Sequence, residues 1–317
     1  MTPTRRHLAL AATPLLEIGL ILAWSSGFIG GTMASATGAV FAVLFWRFLA
    51  VGLMLAPWTL GSVMRLPVRA LLMQTLIGAL AMFVYLAGVT KAIDLGVPAG
   101  LAALITALQP MATAALAGIV LGESVTRRQW LGLGIGFAGV ALAVGGGLGS
   151  APFHAYGLAL ASMAAITAAT LIAKRRSDAL PLVPTLGWQS LVSAALFLPL
   201  ALMEGSAMPR FDPAFVQAVA WYVLFSTIGA YGLYWTCLAR SSATRVSSLI
   251  YMTPPTTALW AYLMFGEALT MAAAGGFVVC LAGILIAGRK PDAGAAGAPS
   301  RDPSRDPKAD RAARSPA

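Results

Sequence analysis

The sequence predicts an all-α integral membrane protein, with ten transmembrane helices as two inverted five-helix repeats around a central cavity. Three observations predict it. Of 317 residues, 59% are hydrophobic and only 10% charged, with a mean hydropathy of +0.82, whereas soluble chains carry roughly a quarter charged residues. Shifted against itself by 144 positions, the chain lays Pro110, Thr113, Gly122, Glu123, Thr126, Gly132 and Gly139 on Pro254, Thr257, Gly266, Glu267, Thr270, Gly276 and Gly283. That makes it a duplicated unit. A weaker match at 142 lays Leu44, Trp46 and Pro57 on Leu186, Trp188 and Pro199, so the duplication reaches earlier helices. Finally, the cationic residues sort by side, as described below.

A helix needs about 20 apolar residues to cross the hydrocarbon layer. The first stretch, 14–33, follows Arg5 and Arg6; Glu17 interrupts it, where the core of a cleaved signal would be continuous. Next come 38–60, apolar except for Arg47, and 69–90, which starts beside Arg65 and Arg69 and stops before Lys91. The stretch 98–121 contains Pro110 and ends at Gly122, and 129–148 follows Arg127 and Arg128. The second half repeats the series: 154–173 ends before Lys174 to Arg176, 183–203 carries Trp188 and Pro199, and 214–236 stops short of Arg240. The stretch 246–265 contains Pro254 and ends at Gly266, and 270–288 stops before Arg289 and Lys290. Alternating ten-residue segments of a β-barrel are absent from the sequence.

With the N-terminus inside, every pair of cations just named falls on the cytoplasmic face, together with Arg240 and Arg245. The outer loops hold Lys91 and Arg210 beside Asp94, Glu204 and Asp212. Cationic loops are retained inside, so both termini are expected in the cytoplasm. The net charge of +10 then reports topology and not a nucleic-acid partner. Because five is odd, the second unit starts outside and is inverted, with a site expected near the midplane at the repeat interface. The divisions are a cytoplasmic N-terminus 1–13, a first repeat 14–148, a second repeat 149–288 and a cytoplasmic tail 289–317. The tail is rich in Ala, Pro, Arg, Asp and Ser, and is expected to be disordered.

Pro110 and Pro254 interrupt equivalent helices, where each removes a backbone donor and crowds a carbonyl one turn earlier. Paired interruptions point to a binding site in such proteins, although a kink that only shapes packing is the alternative. Thr106 and Gln109 accompany the first proline, Tyr251 and Thr253 the second. Arg47 costs about 2.5–3.5 kcal/mol at a bilayer centre, so it faces protein or water. It is either an anchor to backbone carbonyls or a site for an anionic group and gating; Gln189 occupies its place in the repeat. Glu17 is the carboxylate inside a predicted span, about one turn in. It either exchanges protons or sits hydrated near a helix N-terminus. Glu123 and Glu267 read as helix corners, with Thr126 and Thr270 as caps. Trp24, Tyr85, Tyr234, Trp235, Tyr251 and Trp260 offer an aromatic wall, and Trp24 with Ser25 and Ser26 supplies a flat face beside hydroxyls. Gly27 with Gly31, Gly118 with Gly122, and Gly132 with Gly136 read as packing pairs.

Leu121-Gly122-Glu123 after Gln109-Pro110 recurs as Phe265-Gly266-Glu267 after Thr253-Pro254-Pro255, each followed by a helix with an Ala-Gly pair. With Trp24-Ser25-Ser26-Gly27-Phe28, this pattern resembles the EamA-type family of the drug/metabolite transporter superfamily over roughly residues 14–288. The resemblance implies a bacterial inner-membrane location and a cavity lined by helices 1, 3, 4, 6, 8 and 9. It implies a secondary transporter, an exporter before an importer, of amino acids, related amphipathic metabolites or drugs. A receptor or scaffold that has lost transport is the alternative.

An ATP-driven pump would need a phosphate loop, and the sequence has none. An enzyme would need a catalytic constellation, but His7 and His154 lie at span ends, and Cys237 and Cys280 form no metal motif. No cofactor and no metal site are expected. The partners are a small-molecule substrate and the lipid bilayer, with a proton or another coupling ion left open, as is the choice between monomer and homodimer. Trp24, Ser25, Tyr85, Thr106, Gln109, Pro110, Tyr234, Tyr251, Thr253 and Pro254 form the expected substrate site, and Glu17 and Arg47 the coupling or gating pair.

Overall fold

The computed structural model describes residues 3–97, 99–144, 151–175, 181–205, 207–208, 212–266 and 271–288. Glu267, Thr270, Arg210 and the tail from 289, on which expectations were placed, lie outside the described residues. The described elements are helical. They run as α1 (Pro3–Ala36), α2 (Val40–Val63), α3 (Val68–Asp94), α4 (Ala99–Thr106 and Gln109–Leu121) and α5 (Arg127–Val144). Then follow α6 (Phe153–Arg175), α7 (Leu182–Met203), α8 (Pro213–Arg240), α9 (Ala243–Ser248, Leu249–Met252 and Thr253–Phe265) and α10 (Met271–Gly288).

By length and composition, seven helices among the described residues can cross a membrane: Pro14–Ala36, α2, α3, Leu104–Leu121, α6, α7 and α8. The remaining expected spans fall short for local reasons. The last, fully α-helical piece of α9 has 13 residues because the helix is broken before it, α5 starts on Arg127, Arg128 and Gln129, and the apolar part of α10 is Ala274–Ala287. Large side chains face outward along the bundle, Leu53, Trp58, Leu72, Ile119, Leu224 and Leu263 among them. An apolar exterior of this extent suits lipid and not water.

The prolines shape α4 and α9 as their chemistry requires. A proline ring collides with the carbonyl of the residue four earlier. The first piece of α4 ends at Thr106, four residues before Pro110, which sits in the first turn of the second piece, starting at Gln109. In α9 the α-helix gives way to a 3-10 turn over Leu249–Met252, four residues or so before Pro254 and Pro255. Both helices end on a left-handed glycine, Gly122 and Gly266, each with φ of 69°. This is the conformation that side chains resist and glycine accepts. Wider π-helical turns also occupy α3 (Ala79–Val84) and α8 (Tyr222–Tyr231); such turns are frequent at functional sites.

Helix α2 packs along α7 and α5 along α10, α1 lies against α8 and α9, and α6 against α3 and α4. The α5–α10 pair is antiparallel and close. A methyl at Gly132 would lie 2.6 Å from Gly283 O, and one at Gly139 2.6 Å from Cys280 N. Cys280 Sγ donates to Gly136 O across the same seam at 3.5 Å. Small residues allow this approach. Gly136 instead faces the Tyr251 ring and Gly27 the Ser226 side chain, so the glycine pairs read from sequence serve different neighbours.

The corner after α4 differs in part from its sequence reading. Thr126 caps α5, accepting from Gln129 N, while Gln129 Oε1 accepts from Thr126 N at 2.8 Å. Glu123 turns away to α9, where its carboxylate accepts from Ala243 N at 3.2 Å and Thr244 Oγ1 at 3.3 Å. The α5 cap is already complete, whereas the start of α9 has free backbone donors. Helix α1 also starts at Pro3, so Glu17 lies several turns inside it and not one turn in; the helix-end reading of that residue is corrected.

Candidate functional site

A cleft with about 480 Å³ of atom-free space, part of it open to the outside, lies between α1, α3 and α8. Trp24, Phe28 and Gly31 line it from α1, Tyr85 and Thr90 from α3, and Tyr222, Ser226 and Tyr231 from α8. Its centre is an aromatic cluster. The Trp24 ring stands 6.2 Å from Tyr85, 5.4 Å from Tyr231 in an edge contact, and 4.9 Å from Tyr234. The glycines of α1 make room for it, since a methyl at Gly30 would meet the Tyr222 ring at 2.8 Å. Planar walls with a few polar tips suit an amphipathic organic solute.

The floor is a hydrogen-bonded chain. Gln109 Nε2 donates to the Tyr234 hydroxyl, Oη, at 3.3 Å, and the Tyr234 and Thr170 hydroxyls share a bond of 2.5 Å. Thr170 already gives its proton to Ile166 O, so the Tyr234 hydroxyl donates to Thr170 and accepts from Gln109. The broken helix α4 thus delivers Gln109 to the base of the aromatic cluster. Thr106 and Pro110 are buried on either side of it.

Arg47 is wholly buried behind the wall. Its Nε donates to Thr227 Oγ1 at 3.0 Å and Nη2 to Ser226 Oγ at 3.1 Å, while its guanidinium carbon sits 4.1 Å from the Tyr222 ring centre. Nη1 has no hydrogen-bond partner, and among the described residues no carboxylate pairs with it. Its partners are side-chain hydroxyls and a ring, not backbone carbonyls.

Trp24, Tyr85, Tyr234, Gln109 and Arg47 are therefore gathered at one place, with Thr106 and Pro110 adjoining. Ser25 is turned away: its hydroxyl donates to Ile21 O at 2.6 Å, while Trp221, Thr257 and Trp260 donate to the carbonyls of Ser26, Ser25 and Leu22. Tyr251 belongs to a separate cluster with Ala107, Leu133 and Cys280, and its hydroxyl, like that of Thr253, is buried without a partner. Pro254 begins the last piece of α9 beside them.

About two turns from Trp24 along α1, Glu17 forms a bidentate pair with Arg245, Nε to Oε1 at 2.7 Å and Nη2 to Oε2 at 2.9 Å. The turn between α8 and α9 is held twice more. Lys174 Nζ donates to Leu238 O at 2.9 Å and Ser241 O at 2.7 Å, and Glu123 binds Ala243 and Thr244. Sequence reasoning missed Arg245, Lys174, Tyr222, Ser226 and Tyr231 as site residues. The cations had been spent on topology, but the three-residue spacing of Tyr231 and Tyr234 on one helix face was readable.

The EamA-like transporter family model matches twice, at residues 13–145 and 154–289. The chain is 30% identical over 230 residues to the "Uncharacterized inner membrane transporter YedA" of Escherichia coli, covering 71% of this chain and 73% of the relative. It is 27% identical over 206 residues to a "Probable amino-acid metabolite efflux pump" of Salmonella typhimurium, covering 62% and 69%. A crystal structure 22% identical in sequence superposes with a TM-score of 0.71 over 88% of this chain and 96% of that one, which supports the same fold. With both halves matched by one family model and the helices apolar enough to span lipid, the chain belongs to the EamA-like transporter family of the drug/metabolite transporter superfamily.

Proposed function

We propose that this multi-pass protein is a secondary transporter of the bacterial inner membrane that exports a small amphipathic metabolite, of the amino-acid class, by alternating access. The observation that carries it is an asymmetry along the bundle. The lining of the aromatic cleft runs along α1 from Trp24 to Gly31 and along α3 from Tyr85 to Ile93, away from the end where the α8–α9 turn is fastened by Glu17, Lys174 and Glu123. A site open on one side and latched on the other is one state of an alternating-access cycle.

Ten spans in two inverted halves supply the second state. In support of this, exchanging the halves maps the helix contacts onto themselves: α1 on α8 and α9 becomes α6 on α3 and α4, while α2–α7 and α5–α10 map to themselves. The π turns of α3 and α8, the breaks of α4 and α9 and the two left-handed glycines fall in matching places. The latched end also holds Arg65, Arg69, Arg127, Arg128 and Arg240 by helix order, which supports its reading as the cytoplasmic end, with both termini there. Trp24, Tyr85, Gln109 and Tyr234 hold the solute, and Glu17 gates through its bidentate pair with Arg245, which ties α1 to α9. Relatives named as efflux pumps support export as the direction.

The test is a screen of solutes whose toxicity is relieved by expression, repeated with the proton gradient collapsed, followed by flux in proteoliposomes. Efflux of an amino acid or close relative is expected, lost with the gradient. Binding of such a solute with no flux in either direction would instead favour a receptor.

A further inference from the structure

Resting on the transport reading above, we propose that Ser226 and Arg47 form a relay that recognises a carboxylate on the solute. Ser226 lines the cleft and accepts from Arg47 Nη2. Among the described residues its own proton has no acceptor, so it can be donated into the cleft. A hydroxyl that accepts from a guanidinium is a stronger donor to an anion than a lone serine. Behind it, the Arg47 charge is fully buried, with Nη1 unpartnered and no carboxylate in reach among the described residues. Such a charge is costly until an anion compensates it.

A purely structural tie does not need this charge, and the other half of the chain demonstrates it. Gln189 stands at the repeat position of Arg47 and bridges α7 to α3 through Gln74, Nε2 to Oε1 at 3.0 Å. There the neighbour is Gly78, whose added methyl would lie 2.9 Å from Gln189 Cβ. At the 144-residue offset, Gly78 corresponds to Tyr222, Met82 to Ser226 and Phe83 to Thr227. Between the two equivalent helix contacts four positions thus change together, from Gln189, Gly78, Met82 and Phe83, none of them charged, to a cation, a ring and two hydroxyls. Tyr222 and Ser226 line the cleft, with Arg47 and Thr227 behind them. One donor backed by one positive charge matches a carboxylate; a doubly charged phosphate would call for more donors.

The experiment compares acid and amide. Purified protein is titrated with L-phenylalanine, L-leucine, L-threonine and 3-phenylpropionate, each against its carboxamide, by tryptophan fluorescence, and the same panel is run for flux. At least one acid is expected to bind at least about tenfold better than its amide. Ser226→Ala and Arg47→Gln should erase that preference, and Arg47→Lys should keep part of it. The ratio is read in wild-type protein, so a variant that fails to fold does not decide the outcome. Equal affinity for every acid and amide in wild type, or a preference that survives S226A, overturns the relay. Flux equal for acids and amides also overturns it while transport stands. Acid-selective binding without flux supports the relay and removes the transport reading.

Discussion

Trp24 concentrates the site at the scale of single residues. It touches three tyrosines drawn from α3 and α8, and aromatic contacts of this kind contribute about 0.5–1.5 kcal/mol each beyond burial. Trp24→Ala is expected to weaken solute binding at least about tenfold, roughly 1.4 kcal/mol, with Trp24→Phe milder; saturation of flux measures both. Gln109→Ala should lower flux by a different route, by leaving the Tyr234 oxygen without its donor. If both variants transport like wild type, the solute does not sit here. Arg47 and Glu17 were legible as residues because charge inside an apolar span is conspicuous. Their partners were not, because Ser226, Thr227 and Arg245 lie about 180 to 230 positions away and only packing of α2 on α8 and α1 on α9 brings them near. Ser25 misled for a related reason: a hydroxyl in a helix satisfies itself on the carbonyl one turn back unless something competes for it.

Among the elements, the broken helices α4 and α9 are those whose form the sequence announces most directly. A proline at a known position fixes where the helix must yield, and the left-handed glycine fixes where it stops. Gly122→Ala forces a side chain into that conformation and is expected to destabilise the protein by about 1–2 kcal/mol. Gly134→Ala, at a position with open space beside it, should be neutral, and the thermal midpoints of the two purified variants compare them. Gly139→Ala should be worse than either, because its methyl would strike the α10 backbone. The π turns of α3 and α8 were not legible: no residue type demands them, and they arise where Tyr85, Tyr222 and Tyr231 are packed around the cleft. The extent of α1 was missed as well, since apolar length marks where a helix crosses lipid and not where it begins.

For the molecule as a whole, duplication accounts for the paired helix contacts, and the places where it fails are those of the proposed site. Both halves of the chain match one family model, which the self-comparison at 144 already implied. If the halves are inverted, a cysteine placed at Gly122 and one placed at Gly266 react with a membrane-impermeant reagent from opposite sides; labelling from the same side would remove the inversion. Exchanging the charges of the latch, Glu17→Arg with Arg245→Glu, should recover the flux that either change alone impairs, because the pair is bidentate and one side of it is nearly buried.

Alternating access requires the fastened end to open in every cycle. The most direct measurement replaces Glu17 and Arg245 by cysteine, in a background where Cys237 and Cys280 are alanine, and compares flux with the pair oxidised and reduced. The oxidised protein should move no solute, and the reduced protein, without the charge pair but free to open, should move some. Undiminished flux through the tethered protein would contradict the account.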